Sequence, residues 1–150
     1  MIDVVDPVTR SRMMSGIRSK NTRPEVSLRK ELHRRGFRFR LHAPGVPGKP
    51  DMVLPKFRAA VFVHGCFWHG HDCKYFKMPR TRPEFWSAKI AQNRSRDLVV
   101  REMLSKSGWR QLIVWECAVR DKTPMQRARI ADTIATWLHG KQRLKVIRSR

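Results

Sequence analysis

Carboxylates are scarce in this chain of 150 residues: twelve Asp and Glu face thirty-three Lys and Arg, leaving a formal net charge of +21. Each acidic residue is therefore conspicuous on a surface built for polyanions. Cysteine is rare as well, and its count of three is odd. Residues Met1 to Asp6 offer neither a basic n-region nor an apolar h-region, so no secretory signal is expected. With no export signal, an odd thiol count argues against a disulfide framework and for metal ligands or free thiols. Long apolar runs are missing too; none approaches the ~20 residues a membrane-spanning helix needs. The length suits one domain with a fair core and is short for two.

What the chain has in excess is arginine and lysine. The guanidinium fork suits phosphate and guanine edges, so nucleic acid is the expected partner. A ribosomal or histone-like protein, which needs only charge, is the plain alternative. An anionic membrane surface fits less well, because no basic amphipathic helix stands alone.

Along the chain, residues 1–20 read as a basic arm or short helix carrying Arg10, Arg12, Arg18 and Lys20 around Met13, Met14 and Ile17. Thr22-Arg23-Pro24-Glu25 is a capping box that opens a helix ending near Gly36. Thr81-Arg82-Pro83-Glu84 repeats the signature and predicts a longer helix to about Lys106, with Phe85, Ile90, Leu98, Val99, Met103 and Leu104 as its core stripe. Strands are predicted around Phe37, Phe39 and Leu41, over residues 51–54 and 59–64, and over 109–116, whose apolar centre suits an interior position. A last helix starts at Pro124 and closes at Gly140, and residues 141–150 read as a basic tail without regular structure, free or lying on phosphate. The fold class is α/β, a central mixed sheet flanked by helices, in a single domain over residues 21–140.

Chemistry concentrates after the third of these strands. Cys66, His71 and Cys73 fall within eight residues, and Cys117 follows the last predicted strand. Three thiolates and an imidazole make a closed tetrahedral set of the kind that holds structural zinc. His64, His69 and His71 compete for the fourth place, and a zinc held by those histidines with an open position would instead be a hydrolytic centre. Upstream, Asp51 begins a strand beside the one carrying His64. A carboxylate on a DNA-facing surface is unwelcome unless a cation sits on it, and Mg²⁺ prefers oxygen ligands. A simple turn aspartate is the competing reading. Phe67 and Trp68, adjacent in the loop, suit stacking on bases.

Pro50-Asp51 followed by a second strand resembles the PD-(D/E)xK nuclease core, although Phe62-Val63-His64 departs from its carboxylate-x-lysine element. That departure, with His64-Gly65-Cys66-Phe67-Trp68-His69, Phe85-Trp86 and Trp115-Glu116-Cys117, resembles the very short patch repair endonucleases over about residues 6–139. The resemblance implies a restriction-endonuclease-like fold and Mg²⁺-dependent nicking beside the thymine of a T:G mismatch in double-stranded DNA. It implies that Asp51 ligates two Mg²⁺ ions, helped by the backbone carbonyl of Val63, where the family commonly has threonine. It makes His69 the base for the attacking water, His64 a second catalytic histidine and Glu25 an accessory acid. Cys66, His71, Cys73 and Cys117 match the structural zinc set, in a loop where the family carries more histidine than Gly70 and Asp72 leave here. Phe67, Trp68 and Trp86 match wedging aromatics, Lys89 and Asn93 base-contacting positions, and Met14 a residue of the arm. The expected setting is a monomer in the bacterial cytoplasm, on the nucleoid, with repair proteins as possible partners. A catalytically inert, zinc-stabilised nucleic-acid-binding protein is the alternative of another class.

Overall fold

The structure, a computed structural model, describes residues 21–149. The arm expected over residues 1–20, Met14 included, lies outside the described residues. Helix α1 (Arg23–Arg34) begins at a complete capping box: the Thr22 hydroxyl accepts from the Glu25 N–H and the Glu25 carboxylate accepts from the Thr22 N–H. After it come β1 (Arg40–Leu41), β2 (Met52–Leu54), a 3-10 turn at Pro55–Phe57, β3 (Ala59–His64), the long α2 (Pro83–Lys106) and β4 (Arg110–Trp115). A second 3-10 turn (Glu116–Ala118), α3 (Pro124–His139) and β5 (Leu144–Ile147) complete the chain. The strands form one mixed sheet in the order of the sequence, antiparallel from β1 to β3 and parallel from β3 to β5.

Alternation along β3 and β4 sorts the sheet into two faces. Ala59, Val61, Leu112 and Val114 pack in one buried cluster with Leu28 and Leu32 of α1 and with Ala131, Ile134, Trp137 and Leu138 of α3. The intervening Phe62, His64, Gln111 and Ile113 line a cleft under α2 instead, and Gln111 Nε2 donates to the Arg101 carbonyl of that helix at 2.8 Å. One face is core; the other carries the chemistry. No described helix is long and apolar enough to cross a membrane.

Three expectations need correction. The cap of α2 is not Thr81 but Arg82, which has a left-handed backbone at φ 56 and whose own side chain makes no cap hydrogen bond. The core stripe of α2 is also partly misplaced: Ile90 and Leu104 are buried as expected, but Leu98, Val99, Met103 and Phe85 are 63, 57, 48 and 46% exposed. The inward face instead carries Trp86, Ile90, Asn93, Asp97, Val100 and Leu104 at three- and four-residue spacing. Two of its members are polar because they hold the site, so the apolar signal moved to the wrong side. Last, residues 141–150 are not a structureless tail: Leu144–Ile147 pairs with β4 as an edge strand. Its approach is fixed by Arg110, whose guanidinium stacks 4.2 Å over Trp137 and donates to the carbonyls of Trp137, Leu138 and Gln142. That spends the last carbonyls of α3 on a neighbouring strand.

Candidate active site and metal centre

Beyond β3 the chain folds tightly, with the His69, Gly70 and His71 amides donating to the carbonyls of Gly65, Phe67 and Cys66. Gly70 has φ +62, and a Cβ there would lie 2.7 Å from Ile90 Cγ2, so the loop can lie against α2 only with glycine at this position. The result gathers donor atoms of Cys66, His71, Cys73 and Cys117 within 4.8 Å of one another. His71 Nδ1 stands 3.6 Å from Cys117 Sγ. Two ligands of one tetrahedral ion with bonds of about 2.0 and 2.3 Å stand roughly 3.5 Å apart, so the residues fit such a metal. Burial lowers the His71 imidazole below its usual value, which keeps it neutral as a ligand must be, and it lies flat on Trp115 at 4.1 Å. Burial pushes the Cys66 thiol up. It pushes Cys117 up too, but hydrogen bonds from Ser149 and with Cys66 and Cys73 outweigh it and leave that thiol below its usual value.

The cleft beside this centre, about 430 Å³, is lined by Lys49, Asp51, Val63, His64, Trp68, His69, Asn93, Arg96 and Asp97 among others. His64 and His69 stack in parallel, 3.9 Å between centroids and 2° between planes. Two imidazolium rings at that distance would repel. Burial, then the neighbouring His69, push His64 down to about 3, so it is neutral at ordinary pH. His69 Nδ1 meets Asp97 Oδ2 at 2.5 Å, which leaves Nε2 as the atom able to take a proton.

Asp51, which lines the same cleft, accepts the Val63 N–H at 2.5 Å. Burial raises its carboxyl from 3.8 to about 6; the Val63 N–H opposes this, Glu25 adds to it and His42 opposes it. Glu25, only 1% exposed, caps α1 and also meets His42 Nε2 at 2.7 Å. Oxygen and nitrogen donors of Glu25, His42 and Asp51 lie within 4.8 Å of one another. A buried carboxylate and a partly buried one so close together are the kind of place a hard cation relieves.

The sequence-predicted residues are thus largely brought together, with exceptions. The three histidines do not share one centre: His64 and His69 group with Asp97, whereas His71 joins the cysteines. This removes the basis for a zinc held by His64, His69 and His71. Trp86 is 9% exposed and lies beneath Phe67 and Trp68, at 5.5 and 5.9 Å, rather than standing out with them. Asn93 spends its amide on the Trp68 carbonyl at 2.8 Å, tying the loop to α2, while Lys89 is exposed one turn before it. Sequence reasoning missed His42, Lys49, Arg96 and Asp97, and also Glu116, which accepts the Cys66 N–H at 2.9 Å. Asp97 could have been found: it sits four residues after Asn93, on the helical face that begins at Trp86.

A basic α/β domain whose cleft joins a partly buried aspartate to a carboxylate-held histidine, beside a cluster of three cysteines and a histidine that could hold a metal, belongs to the class of nucleases. The comparisons narrow this. The family model described as DNA mismatch endonuclease Vsr matches residues 2–75. The type II nicking enzyme V.XorIIP of Xanthomonas oryzae pv. oryzae is 48% identical over 121 residues, 81% of this chain and 89% of its own length. The DNA mismatch endonuclease Vsr of Escherichia coli is 41% identical over 141 residues, 94% of this chain and 90% of its own. The chain belongs to the Vsr family of endonucleases.

Proposed function

We propose that this chain is an Mg²⁺-dependent, strand-specific endonuclease. It nicks double-stranded DNA beside the thymine of a T:G mismatch in a set sequence context and so starts very short patch repair of deaminated 5-methylcytosine. The observation that carries this reading is the meeting of Asp51 with the His64–His69–Asp97 group across one cleft. Asp51 with the Val63 carbonyl would hold two Mg²⁺ ions, which supply charge on the scissile phosphate and an acidified water. The restriction-endonuclease-like fold is part of the same proposal, supported by an antiparallel β2–β3 pair that sets Asp51 beside Val63. So is zinc at Cys66, His71, Cys73 and Cys117, supported by their donor geometry.

In this scheme His69 takes the proton of the attacking water at Nε2. Asp97 fixes its tautomer and stabilises the ring once charged. Neutral His64, stacked on it, allows that charge to form. Lys49 and Arg96, both lining the cleft, meet the phosphate charge, and Glu25 steadies the Asp51 wall through His42. Asp97→Asn should lower the nicking rate about 10²–10⁴-fold with little change in DNA affinity, measured by single-turnover cleavage against duplex binding. A variant cutting at the wild-type rate would remove Asp97 from the scheme.

Phe67 and Trp68 are half-buried on a floor made by Trp86, with Phe67 and Trp68 5.1 Å apart. They form a ready wedge for a step that unstacks cheaply, as a mismatched one does. The double variant Phe67→Ala, Trp68→Ala should lose most of the preference for mismatched over paired duplex, at least tenfold, because stacking is worth ~1–3 kcal/mol per base. Unchanged discrimination would rule out the wedge. Lys89 is exposed for base contact on the same helix, and the arm with Met14 completes the expected DNA surface. One catalytic cleft in a nuclease domain over residues 21–140 fits a monomer cutting one strand at the nucleoid, with repair proteins downstream.

The test is direct: end-labelled duplexes, T:G mismatched and fully paired, incubated with the protein and Mg²⁺. The proposal requires one nick, on the thymine strand, dependent on Mg²⁺ and on the mismatch. No strand break with any divalent cation would leave an inert DNA-binding protein, and equal cutting of paired duplex would remove the mismatch role.

A further inference from the structure

We propose that residues 144–149 form the outer wall of the metal centre, so that metal binding and docking of β5 are one linked event. The inference rests on the cysteine–histidine set holding a metal. β5 runs parallel to β4, with Val114 opposite Ile147. The two chains therefore leave the sheet at the same end and in the same direction: β4 leads to Cys117, and β5 leads to Arg148 and Ser149. At that end the Ser149 N–H donates to Cys117 Sγ at 3.4 Å, and Arg148 Nη2 donates to the Asp72 carbonyl at 3.0 Å. Asp72 lies between the ligands His71 and Cys73, so both strand-end residues grip the metal loop itself.

The chemistry of the contacts suits a metal thiolate. Three thiolates and a neutral imidazole around a divalent ion carry one net negative charge. An N–H aimed at one sulfur and a guanidinium against the loop stabilise that charge, and hydrogen bonds around ligands hold a metal as the ligands themselves do. Beyond its ladder with β4 and the Arg110 contact with Gln142 ahead of its start, the strand has little else to hold it. It is a four-residue edge strand in which Leu144 and Val146 are 40 and 44% exposed and Ile147 is the one buried residue. So short an edge depends on its far end for docking.

The linkage predicts effects in both directions. Ser149→Pro removes the N–H, and Arg148→Ala removes the guanidinium. Each should speed zinc release to EDTA by roughly tenfold, the usual scale for losing an outer partner of a ligand. Ser149→Ala, which keeps the N–H, should release more slowly than Ser149→Pro. Conversely, stripping the metal from the wild-type protein should raise amide exchange at residues 145–149 while the amides of Leu112 and Val114, which donate towards β3, stay protected. Metal analysis of the purified protein separates the two levels of the claim. A chain holding no zinc or similar ion defeats the metal reading and this inference with it. A zinc-loaded chain whose variants release metal at the wild-type rate defeats the linkage alone. If Ser149→Pro does not fold, Arg148→Ala and the exchange measurement decide. Protection of residues 145–149 that survives metal removal, or is lost evenly across the sheet, overturns the linkage.

Discussion

Asn in place of Asp51 should abolish nicking, by at least about 10³-fold, and at the same time make the metal-free protein more stable at pH 8. The loss follows from the proposed role: Asn offers one neutral oxygen where two hard cations need a carboxylate, and ~4 kcal/mol of transition-state stabilisation corresponds to a thousandfold in rate. The stability gain follows from burial. Asp51 ionises near 6 in the fold against an ordinary 3.8, mainly because burial disfavours its charge. The folded group therefore holds its proton where the unfolded one has lost it. Stability is fullest below about pH 4 and falls as pH rises to about 6, remaining low beyond that. About two pKa units bound the effect at ~3 kcal/mol, and asparagine, which can still accept the Val63 N–H, escapes it. Thermal unfolding of both proteins in EDTA-free, Mg²⁺-free buffer at pH 8 and pH 4 checks the sign: the advantage of Asn should be present at the first and gone at the second. Affinity for mismatched duplex without Mg²⁺ should hold or rise, since a negative charge leaves the DNA face. A variant that nicks at the wild-type rate would end the proposed mechanism, and one less stable at pH 8 would refute the burial argument.

Much of this site was legible because its chemistry is local in sequence. Cys66, His71 and Cys73 are close neighbours, and the His64–His69 string marks both the catalytic pair and the loop between them. The α1 cap was readable for the same reason, being a bargain between Thr22 and Glu25 over one helical turn. What stayed hidden depends on contacts across the fold. Asp97 becomes meaningful only once α2 lies over the sheet and puts it against His69. Its polarity also spoiled the periodicity by which a buried helix face is recognised, so the stripe was read through Leu98, Val99 and Met103, which face away. His42 alternates with Leu41 and reads as the wet side of a strand, yet β1 ends at Leu41 and a left-handed turn at His42 (φ 48) brings the ring to Glu25. β5 was lost among basic residues because an edge strand on a parallel sheet needs few apolar side chains, and its Lys145 and Arg148 read as phosphate contacts.

Removing the sulfur at position 117 should also cost activity, but with the opposite sign in stability, which separates the two metals by experiment. Cys117 is 1% exposed and follows β4, whereas Cys66, His71 and Cys73 belong to the loop after β3. An ion shared among them pins that loop to the sheet, and Phe67, Trp68 and His69 all lie between Cys66 and His71. Cys117→Ala leaves three ligands and loosens every one of these groups. Nicking should fall at least 100-fold, mismatch preference should fall with it, and the bound metal should be lost from the purified protein. Metal binding to such a site contributes to folding outright, so a loss of several kcal/mol, roughly 10 °C in unfolding temperature for a domain of this size, is expected. Added Mg²⁺ should restore neither activity nor stability, since a hard cation does not take thiolate ligands. If Cys117 were only a packed thiol, alanine would cost about 1 kcal/mol, and metal content and nicking would be unchanged. Asp51→Asn would then abolish nicking while Cys117→Ala left nicking and metal content intact, and the division between a catalytic cation site and a bracing one would fail.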